Sequence, residues 1–419
     1  MGAVRREEFV LTRADDVWVW DTEGRRYLDA TASLWYANVG QGRAEIIEAV
    51  AAQLRRLDAY SIFGDFANEP ALALADRLAA LAPIPDARVF LASGGGDGID
   101  TAAKLARRYW TASGCPERMH IISRQAGYHG THGFGTALAG IAANRAGYGE
   151  LLADSSNVPH DSVAALEERI TRVGADRVAA FFVEPVIGAG GVYPPAPGYL
   201  EGVAEVCNRT GVLLVIDAVI CGFGRLGTWF GIERWNVRPD MVVFAKGVTS
   251  GYQPLGGVVV SGKVAKPFWE DPDAPAFRHG PTYAGHPAAC AAALANLDLL
   301  ERDGLLARGL EHEDDLLDAL APLSTHALVA EVRGGTGLMA AVELDEELLT
   351  RHPTAVVDAA MAARAHGVLV RPLATALAVS PPLTATEEHF ELITDALSVA
   401  LDAVRDDAGL VGSPLPQPR

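Results

Sequence analysis

A single lysine, Lys246, directly follows an apolar stretch and has the chemistry of a nucleophilic amine. The stretch Met241–Ala245 is apolar and β-branched and is bounded by glycines, a pattern that predicts a buried strand. Burial disfavours the ammonium form, so a lysine at the end of this strand is suited to attack a carbonyl as a neutral amine and form a Schiff base. The alternative is a lysine whose side chain simply reaches solvent, and Lys246 alone does not decide between the two.

A glycine-rich turn lies upstream at Ser93–Gly98, between a predicted strand and a predicted helix. Glycines at such a junction let backbone N–H groups and the helix N-terminus converge on an anion, typically a phosphate. A flexible turn is the alternative. The spacing does not fit the dinucleotide-binding pattern GxGxxG. The GxxxxGK match that begins at Gly257 has Val264 where a magnesium-binding Ser or Thr is needed, so it does not predict a P-loop.

Two further polar clusters follow predicted strands. Asp217 ends the apolar strand 212–217, where a carboxylate requires a cationic or protonated partner. A protonated pyridine nitrogen would meet that need and make the ring an electron sink, and a salt bridge with Arg225 is the alternative. Tyr128 could stack on a flat heteroaromatic ligand or pack in the core. No cysteine or carboxylate stands at ligand spacing from His129, which is interpreted as a polar histidine, and no metal site is predicted.

Length, composition and charge limit the class of protein. At 419 residues the chain exceeds what one hydrophobic core usually supports, so we expect a large domain and a smaller one. A net charge of −18 disfavours nucleic acid and anionic membranes as partners. The four cysteines show no CxxC spacing, no signal peptide is expected, and the apolar runs are too short to span a bilayer. These features predict a cytoplasmic protein.

Strands, glycine-rich turns and helices alternate along the middle of the chain. Continuous apolar strands that alternate with helices predict an α/β fold with a mainly parallel sheet, and ligands bind such sheets at the carboxyl ends of the strands. Gly256–Ser261 follows Lys246 too closely for a helical crossover, so an antiparallel strand is predicted there. The other predicted strands are Arg88–Ala92, His120–Ser123, Val178–Val183, Val212–Asp217 and Met241–Ala245, and the predicted helices between them are Thr101–Thr111, Ser162–Val173 and Gly198–Thr210.

The flanking segments predict a smaller α+β unit. A hairpin at 17–29 and a helix at 44–60 precede the sheet, and helices near 305–320, 355–366 and 387–404 alternate with short strands after it. The predicted boundaries are 1–60 for an N-terminal segment that joins the small domain, 61–300 for the large ligand-binding domain, 301–410 for the small domain and 411–419 for a disordered tail.

The lysine, the carboxylate, the anion-binding turn and the stacking ring require one ligand with an aldehyde, a pyridinium ring and a phosphate. Pyridoxal 5′-phosphate (PLP) has all three groups. In the order of these pieces the chain resembles the class III, or omega, aminotransferases of the type I fold of PLP enzymes. The resemblance extends from Leu34 to Leu383 and is most specific at Asp217–Gly227 and Phe244–Gly247.

The resemblance implies a role for individual residues. Lys246 would be the internal aldimine lysine and the proton carrier of the reaction, and Asp217 would pair with the pyridine nitrogen. Thr282 would reach the phosphate of a neighbouring subunit, which implies a homodimer or larger homo-oligomer with shared active sites. The other implied cofactor-binding residues are Gly95 and Gly96 through their amides, Asp97, Tyr128 and Val219 on opposite faces of the ring, His129, and Glu184 near the cofactor hydroxyl.

Two positions depart from the family pattern. The family loop usually reads Ser-Gly-Ser-Glu-Ala, whereas this chain has a glycine, Gly96, in place of the second serine. Phosphate contacts would then depend on backbone amides, which indicates lower cofactor affinity. The usual Asp-Glu pair is Asp217-Ala218 here, so the ring partner is retained and the subgroup stays open.

Four residues suggest the substrate class. Trp35, Tyr60 and Phe63 could form an apolar wall, or each could be ordinary core packing. Arg371 matches the mobile arginine that binds an acceptor carboxylate in amine–pyruvate-type members, and a guanidinium suits a planar carboxylate through two parallel hydrogen bonds. The resemblance thus implies a primary amine or ω-amino acid as donor and pyruvate as acceptor, in a ping-pong reaction. An aminomutase, racemase or decarboxylase of the same fold, a nucleotide-dependent oxidoreductase and a non-catalytic binding protein remain alternatives.

Overall fold

The computed structural model describes residues 8–149, 151–270 and 273–407. The strands are β1 (Leu11–Asp15), β2 (Trp18–Asp21), β3 (Arg26–Asp29), β4 (Arg88–Ala92), β5 (His120–Arg124), β6 (Ser155–Val158), β7 (Val178–Val183), β8 (Leu213–Asp217), β9 (Met241–Phe244), β10 (Gly256–Val260), β11 (Val329–Arg333), β12 (Ala340–Leu344), β13 (Val368–Leu369), β14 (Arg371–Pro372) and β15 (Ala376–Val379). The helices are α1 (Ala32–Trp35), α2 (Ala44–Arg56), α3 (Glu69–Leu81), α4 (Gly95–Ala112), α5 (Gly133–Leu138), α6 (Val163–Val173), α7 (Tyr199–Thr210), α8 (Gly262–Trp269), α9 (Pro287–Arg302), α10 (Leu305–Glu311), α11 (Glu313–Leu320), α12 (Glu346–Arg351), α13 (Ala355–Ala365) and α14 (Glu387–Asp407).

Contacts between these elements divide the described residues into two compact units. The sheet unit is Ala44–Leu310, and the flanking unit is Met1–Arg43 with Glu311–Arg419, each as far as it is described. The predicted disordered tail at 411–419 lies outside the described residues. Among the described helices, none has the length and apolar character needed to cross a membrane.

The sheet unit contains a seven-stranded sheet in the order β4-β10-β9-β8-β7-β5-β6. Only β10 runs antiparallel to its two neighbours, so the other six strands share one direction. The predicted mainly parallel sheet and the predicted antiparallel strand after Lys246 are therefore both confirmed. Because the parallel strands end at the same edge, the segments that follow β4, β5, β7, β8 and β9 meet there.

The central strands are buried on both faces, as their continuous apolar sequences require. Every residue of β7, β8, β9 and β10 is buried. Helix α4 packs its apolar face on this sheet, where Ile99 joins Phe182, Val215 and Val243 in one core cluster. At about 25 cal/mol per Å² of apolar surface, such burial is the main stabilising contribution to the unit. The rigid sheet therefore fixes the positions of the strand-end residues.

The flanking unit contains two four-stranded sheets, β1-β2-β3-β13 and β11-β12-β15-β14. The predicted hairpin is present as β2 and β3, which pair antiparallel with Trp18 opposite Leu28. One of the short strands, predicted at 368–371, is instead two strands, β13 and β14, which pair in different sheets. The predicted helices near 305–320 are present as α10 and α11, and His312 leaves helical geometry (φ −112°, ψ 14°) between them.

Candidate active site

Lys246 follows β9 after one intervening residue and begins a tight turn at the carboxyl edge of the sheet. Its φ of 49° lies in the left-handed region, which is uncommon for a residue with a side chain and is often found at functional sites. The buried side-chain amide of Asn296, on α9, donates to the carbonyl oxygens of Gly247 at 2.8 Å and Val248 at 3.0 Å. The turn that presents the lysine is therefore held from a neighbouring helix.

Asp217 is the last residue of β8, and Val243 of β9 lies beside it in parallel register. Its buried carboxylate makes two hydrogen bonds that fix its orientation. Oδ2 accepts from Nδ1 of His129 at 2.8 Å, and Oδ1 accepts from the backbone N–H of Val219 at 3.1 Å. Nδ1 of His129 therefore bears a proton, while its Nε2 is buried without a hydrogen-bond partner among the described residues. A carboxylate held in this way is ready to pair with a further protonated group.

Glu184 follows β7 and joins the loops that follow neighbouring strands. Its Oε1 accepts from the N–H of Tyr128 at 3.0 Å, and its Oε2 accepts from the N–H of Gly188 at 3.0 Å. Burial raises the pKa of the Glu184 carboxyl, and the nearby Asp217 acts in the same direction, while His129 and the Gly188 N–H oppose the shift. The glutamate thus fixes the segment that presents Tyr128 and His129.

The glycine-rich turn forms the first turn of α4, which begins at Gly95 with Gly94 in the N-cap position. A Cβ on Gly95 would lie 3.0 Å from a methyl group of Val219 and 3.6 Å from the Cβ of Ala245. The helix therefore begins directly against the residues beside Asp217 and Lys246. The first N–H groups of a helix have no partner within the helix, so they can bind an anion at this point.

The structure places nine of the predicted residues at the carboxyl edge of one sheet, in the segments after β4, β5, β7, β8 and β9. These residues are Gly95, Gly96, Asp97, Tyr128, His129, Glu184, Asp217, Val219 and Lys246. The contacts between these segments bring the predicted amine, carboxylate and anion-binding turn together. Tyr128 and Val219 are half-buried.

Three predicted residues lie on the surface of the sheet unit. Tyr60 and Phe63 are 54% and 46% exposed, so ordinary core packing does not describe them. Thr282 is exposed in the loop before α9. A Cβ on Gly280 in this loop would lie 2.9 Å from the ring of Phe63, which places the Thr282 loop beside that aromatic residue.

Trp35 and Arg371 meet within the flanking unit. The guanidinium carbon of Arg371 lies 4.9 Å from the centroid of the Trp35 ring, within the range of a cation–π interaction. Trp35 is buried and has a φ of 58°, and Ala32 and Ser33 before it also have positive φ. This strained turn fixes the indole ring on which the arginine rests.

Sequence reasoning missed two supports of this site. Arg124, a buried charge at the end of an apolar strand, donates to the carbonyl oxygen of Glu184, and its position in the sequence was a usable signal. Asn296 lies in an alanine-rich helix 50 residues after Lys246, and nothing in its local sequence indicates which turn it holds.

The comparison with protein families decides the class. The family model described as "Aminotransferase class-III" matches residues 1–401. The chain belongs to the class III aminotransferases. The resemblance stated from the sequence is therefore confirmed, and the nucleotide-dependent oxidoreductase is not supported.

Curated relatives of this aminotransferase cover nearly the whole chain. A putrescine–pyruvate aminotransferase of Pseudomonas aeruginosa is 37% identical over 409 residues, which is 92% of this chain and 89% of the relative. A β-alanine–pyruvate aminotransferase of the same species is 34% identical and covers 96% of this chain and 93% of its own.

Solved structures give the same result for the fold. An amine transaminase from an uncultivated Pseudomonas species, in a PLP-bound form, has a TM-score of 0.91 at 37% identity and covers 96% of this chain and 97% of its own. An (S)-enantioselective omega-transaminase from Thermomicrobium roseum has a TM-score of 0.92 at 39% identity, with coverages of 96% and 94%. The predicted type I fold of PLP enzymes is confirmed.

PLP is the cofactor of class III aminotransferases, and the residues at the sheet edge fit its chemistry. Lys246 offers an amine to the aldehyde, and the oriented carboxylate of Asp217 offers a partner to a protonated ring nitrogen. A side chain on Gly95 would fill the space between α4 and Val219, and the glycine leaves that space clear. The amine, the carboxylate and the glycine-rich turn of this aminotransferase therefore fit PLP, the cofactor of its family.

Proposed function

We propose that this aminotransferase moves the amino group of a primary amine or ω-amino acid to an oxo acid, with pyruvate as the acceptor, in a ping-pong reaction. The observation that carries the proposal is the placement of Lys246 and Asp217 at the ends of adjacent parallel strands, at the start of α4. The substrate class is supported by the relatives named for putrescine, β-alanine and pyruvate.

The residues at the sheet edge bind the cofactor and move one proton. PLP, when bound, supplies an electron sink for the negative charge that develops at the substrate carbon. With PLP bound, Lys246 would hold the cofactor through its Nζ and would carry a proton on that atom. Asp217 keeps a proton on the ring nitrogen, and its bonds to His129 and to the Val219 N–H keep it in position.

The other residues at the sheet edge position the cofactor and take no part in the reaction. Tyr128 and Val219 would hold the two faces of the cofactor ring, and Glu184 keeps the Tyr128 loop in place by accepting from the Tyr128 N–H. The N–H groups at Gly95, Gly96 and Asp97 would bind the phosphate, because the first N–H groups of α4 have no partner within the helix.

Arg371 binds the acceptor carboxylate in this proposal. Its guanidinium lies over the Trp35 ring, and the planar shape of a guanidinium suits a carboxylate through two parallel hydrogen bonds. Tyr60 and Phe63 contribute apolar surface for the side chain of the amine donor, and the buried Trp35 positions Arg371. Exposed aromatic rings at positions 60 and 63 support this, since a solvent-facing ring gains free energy when a substrate covers it.

The functional unit is proposed to be a homodimer with shared active sites. Thr282 lies next to Tyr283 in the loop before α9, and both residues are exposed. A surface that displays a hydroxyl and a large aromatic ring suits contact with a second copy. A cytoplasmic location is proposed on the basis of the four free thiols.

The proposed role of Arg371 is tested by comparing an acceptor that has a carboxylate with one that lacks it. Arg371→Ala should lower kcat/KM for pyruvate by roughly ten- to hundredfold, because it removes a charged partner of the carboxylate. The same variant should leave kcat/KM for propanal, an acceptor without a carboxylate, close to the wild-type value. Arg371→Lys keeps the charge and loses the planar pair of donors. Its kcat/KM for pyruvate should lie between the values of the wild type and of Arg371→Ala. An equal fall for pyruvate and propanal would contradict the assignment.

A further inference from the structure

The imidazole of His132 lies directly over Gly96. A Cβ on Gly96 would lie 2.8 Å from Nδ1 of His132, closer than real Cβ atoms come to a neighbour, and 3.0 Å from Cε1. The ring therefore occupies the space that a side chain at position 96 would need. Nδ1 also lies 3.6 Å from Oδ1 of Asp97, and the side chain is 50% exposed.

The position of His132 is fixed from both sides along the chain. Upstream, His129 is bound to Asp217, and a Cβ on Gly130 would lie 3.0 Å from the Cα of Gly96. Downstream, Asp100 of α4 accepts from the N–H groups of Phe134 and Gly135 at 3.1 Å each. His132 itself precedes α5 in the N-cap position, yet its side chain makes no capping bond to that helix. The ring is turned toward α4 instead.

The start of α4 lacks side-chain donors of its own. Gly94, Gly95 and Gly96 have no side chains, and Asp97 brings a negative charge to the turn. The Asp97 carboxylate already accepts one hydrogen bond, from the N–H of Ser93 to its Oδ2 at 3.2 Å. A dianionic phosphate beside this carboxylate requires a compensating donor or positive charge. An imidazole N–H supplies a donor in its neutral form and a positive charge when protonated.

We propose that His132 donates a hydrogen bond to the cofactor phosphate and that Gly96 and His132 form a matched pair. The glycine leaves room for the ring, and the ring supplies the side-chain donor that a hydroxyl residue at position 96 would otherwise give. The inference rests on the proposed placement of the phosphate at the start of α4. It predicts that the phosphate contribution to cofactor affinity depends on His132.

The test compares PLP with pyridoxal, which has the aldehyde and ring but no phosphate. Dissociation constants are measured for both ligands on the full-length apoprotein by equilibrium dialysis. His132→Ala should weaken PLP binding by roughly ten- to hundredfold, the value of a hydrogen bond to a charged group, and leave pyridoxal binding unchanged. His132→Asn, which retains an N–H near the position of Nδ1, should restore most of the affinity for PLP.

A second pair of variants tests the matched packing. Gly96→Ser should weaken PLP binding on its own, because its Cβ would collide with the His132 ring. The double variant Gly96→Ser/His132→Ala should bind PLP more tightly than either single variant, because the hydroxyl replaces the lost donor and the collision is removed. This non-additivity is the signature of two residues in contact. Circular dichroism of each apoprotein controls for folding.

The outcomes separate this inference from the proposed function. Equal losses for PLP and pyridoxal in His132→Ala, or unchanged PLP affinity, would overturn the role of His132 while leaving the cofactor site intact. Additive effects in the double variant would overturn the matched pair. A wild-type protein that bound PLP no more tightly than pyridoxal would overturn both the inference and the placement of the phosphate.

Discussion

The two oxygens of Asp217 have different partners, and this decides how the residue works. One oxygen accepts from the Val219 backbone and the other from His129, so the side chain cannot rotate without losing a buried hydrogen bond. Losing such a bond costs about 1–3 kcal/mol. The negative charge is therefore presented in one direction, which is the requirement for a group that must keep a ring nitrogen protonated.

Asp217→Asn is predicted to lower kcat by roughly 10²- to 10³-fold, as expected when one preorganised electrostatic partner is removed from a buried site. The amide keeps the size of the side chain and an acceptor for Val219 or His129, so the protein should remain folded. Steady-state kinetics with an amine donor and pyruvate measure the effect. Asp240→Asn is the matched control, because the Asp240 carboxylate accepts from the N–H of Leu214 and from Lys263, away from the proposed cofactor contacts, and its substitution should affect turnover little. A wild-type kcat in Asp217→Asn would contradict the role.

Site residues that are polar and directly follow an apolar strand could be predicted from the sequence. Lys246, Asp217 and Glu184 are each a polar residue after an apolar run, and the structure places all three at one edge of the sheet. His132 and Asn296 could not be predicted in this way. Their roles depend on contacts with residues 36 and about 50 positions away, which no local pattern encodes.

Helix α4 brings the anion-binding turn next to the strand that precedes Lys246, and its glycines make this close approach possible. Gly98 lies one turn into the helix, where a Cβ would lie 2.7 Å from a methyl group of Val243 and 3.0 Å from the carbonyl oxygen of Gly257. The helix thus touches β9 and β10 with its backbone. This close approach brings the first turn of α4 to the end of the strand that precedes Lys246.

Gly98→Ala is predicted to destabilise the protein by about 1–3 kcal/mol, because the added methyl group overpacks the contact of α4 with the sheet. Thermal and urea unfolding measure the change. Gly133→Ala is the matched control, since the nearest atom to its Cβ is 4.0 Å away, and its effect should stay within about 0.5 kcal/mol. Equal effects of the two substitutions would show that the packing argument is wrong.

The strands of the sheet were predictable because burial on both faces makes their sequences continuously apolar. Strand β7 has the predicted bounds, and β8 and β9 differ from theirs by one residue each. The edge strand β6, Ser155–Val158, was missed because it is polar and gains its order by pairing with β5. Helix α4 begins six residues before the predicted start, since glycines that disfavour a helix on their own are held in it by packing against the sheet.

At the scale of the whole molecule, the exposed Thr282 loop leads to a prediction about assembly. If Thr282 serves the site of a partner, a mixed dimer of Lys246→Ala and Thr282→Asp chains contains one site with both residues intact. Each variant alone should be nearly inactive, because one lacks the amine and the other places a negative charge beside the phosphate. Mixing the two chains after reversible dissociation should therefore restore activity.

Thr282→Ser is the control for this experiment, since it keeps the hydroxyl and should be active without mixing. Size-exclusion chromatography of each sample verifies that the chains assemble. Activity that stays absent in verified mixed dimers would place Thr282 in the site of its own chain and contradict the shared site.

The most direct test of the account is to locate the covalent attachment of the cofactor. The chain has four lysines, and the other three make exposed contacts, Lys104 with His279, Lys263 with Asp240 and Lys266 with Glu270. Reduction of the holoenzyme with borohydride, digestion and mass spectrometry should find the pyridoxyl group on the peptide that contains Lys246, and Lys246→Ala should lose both the label and transaminase turnover. A label on Lys104, Lys263 or Lys266, or full turnover in Lys246→Ala, would contradict the central claim.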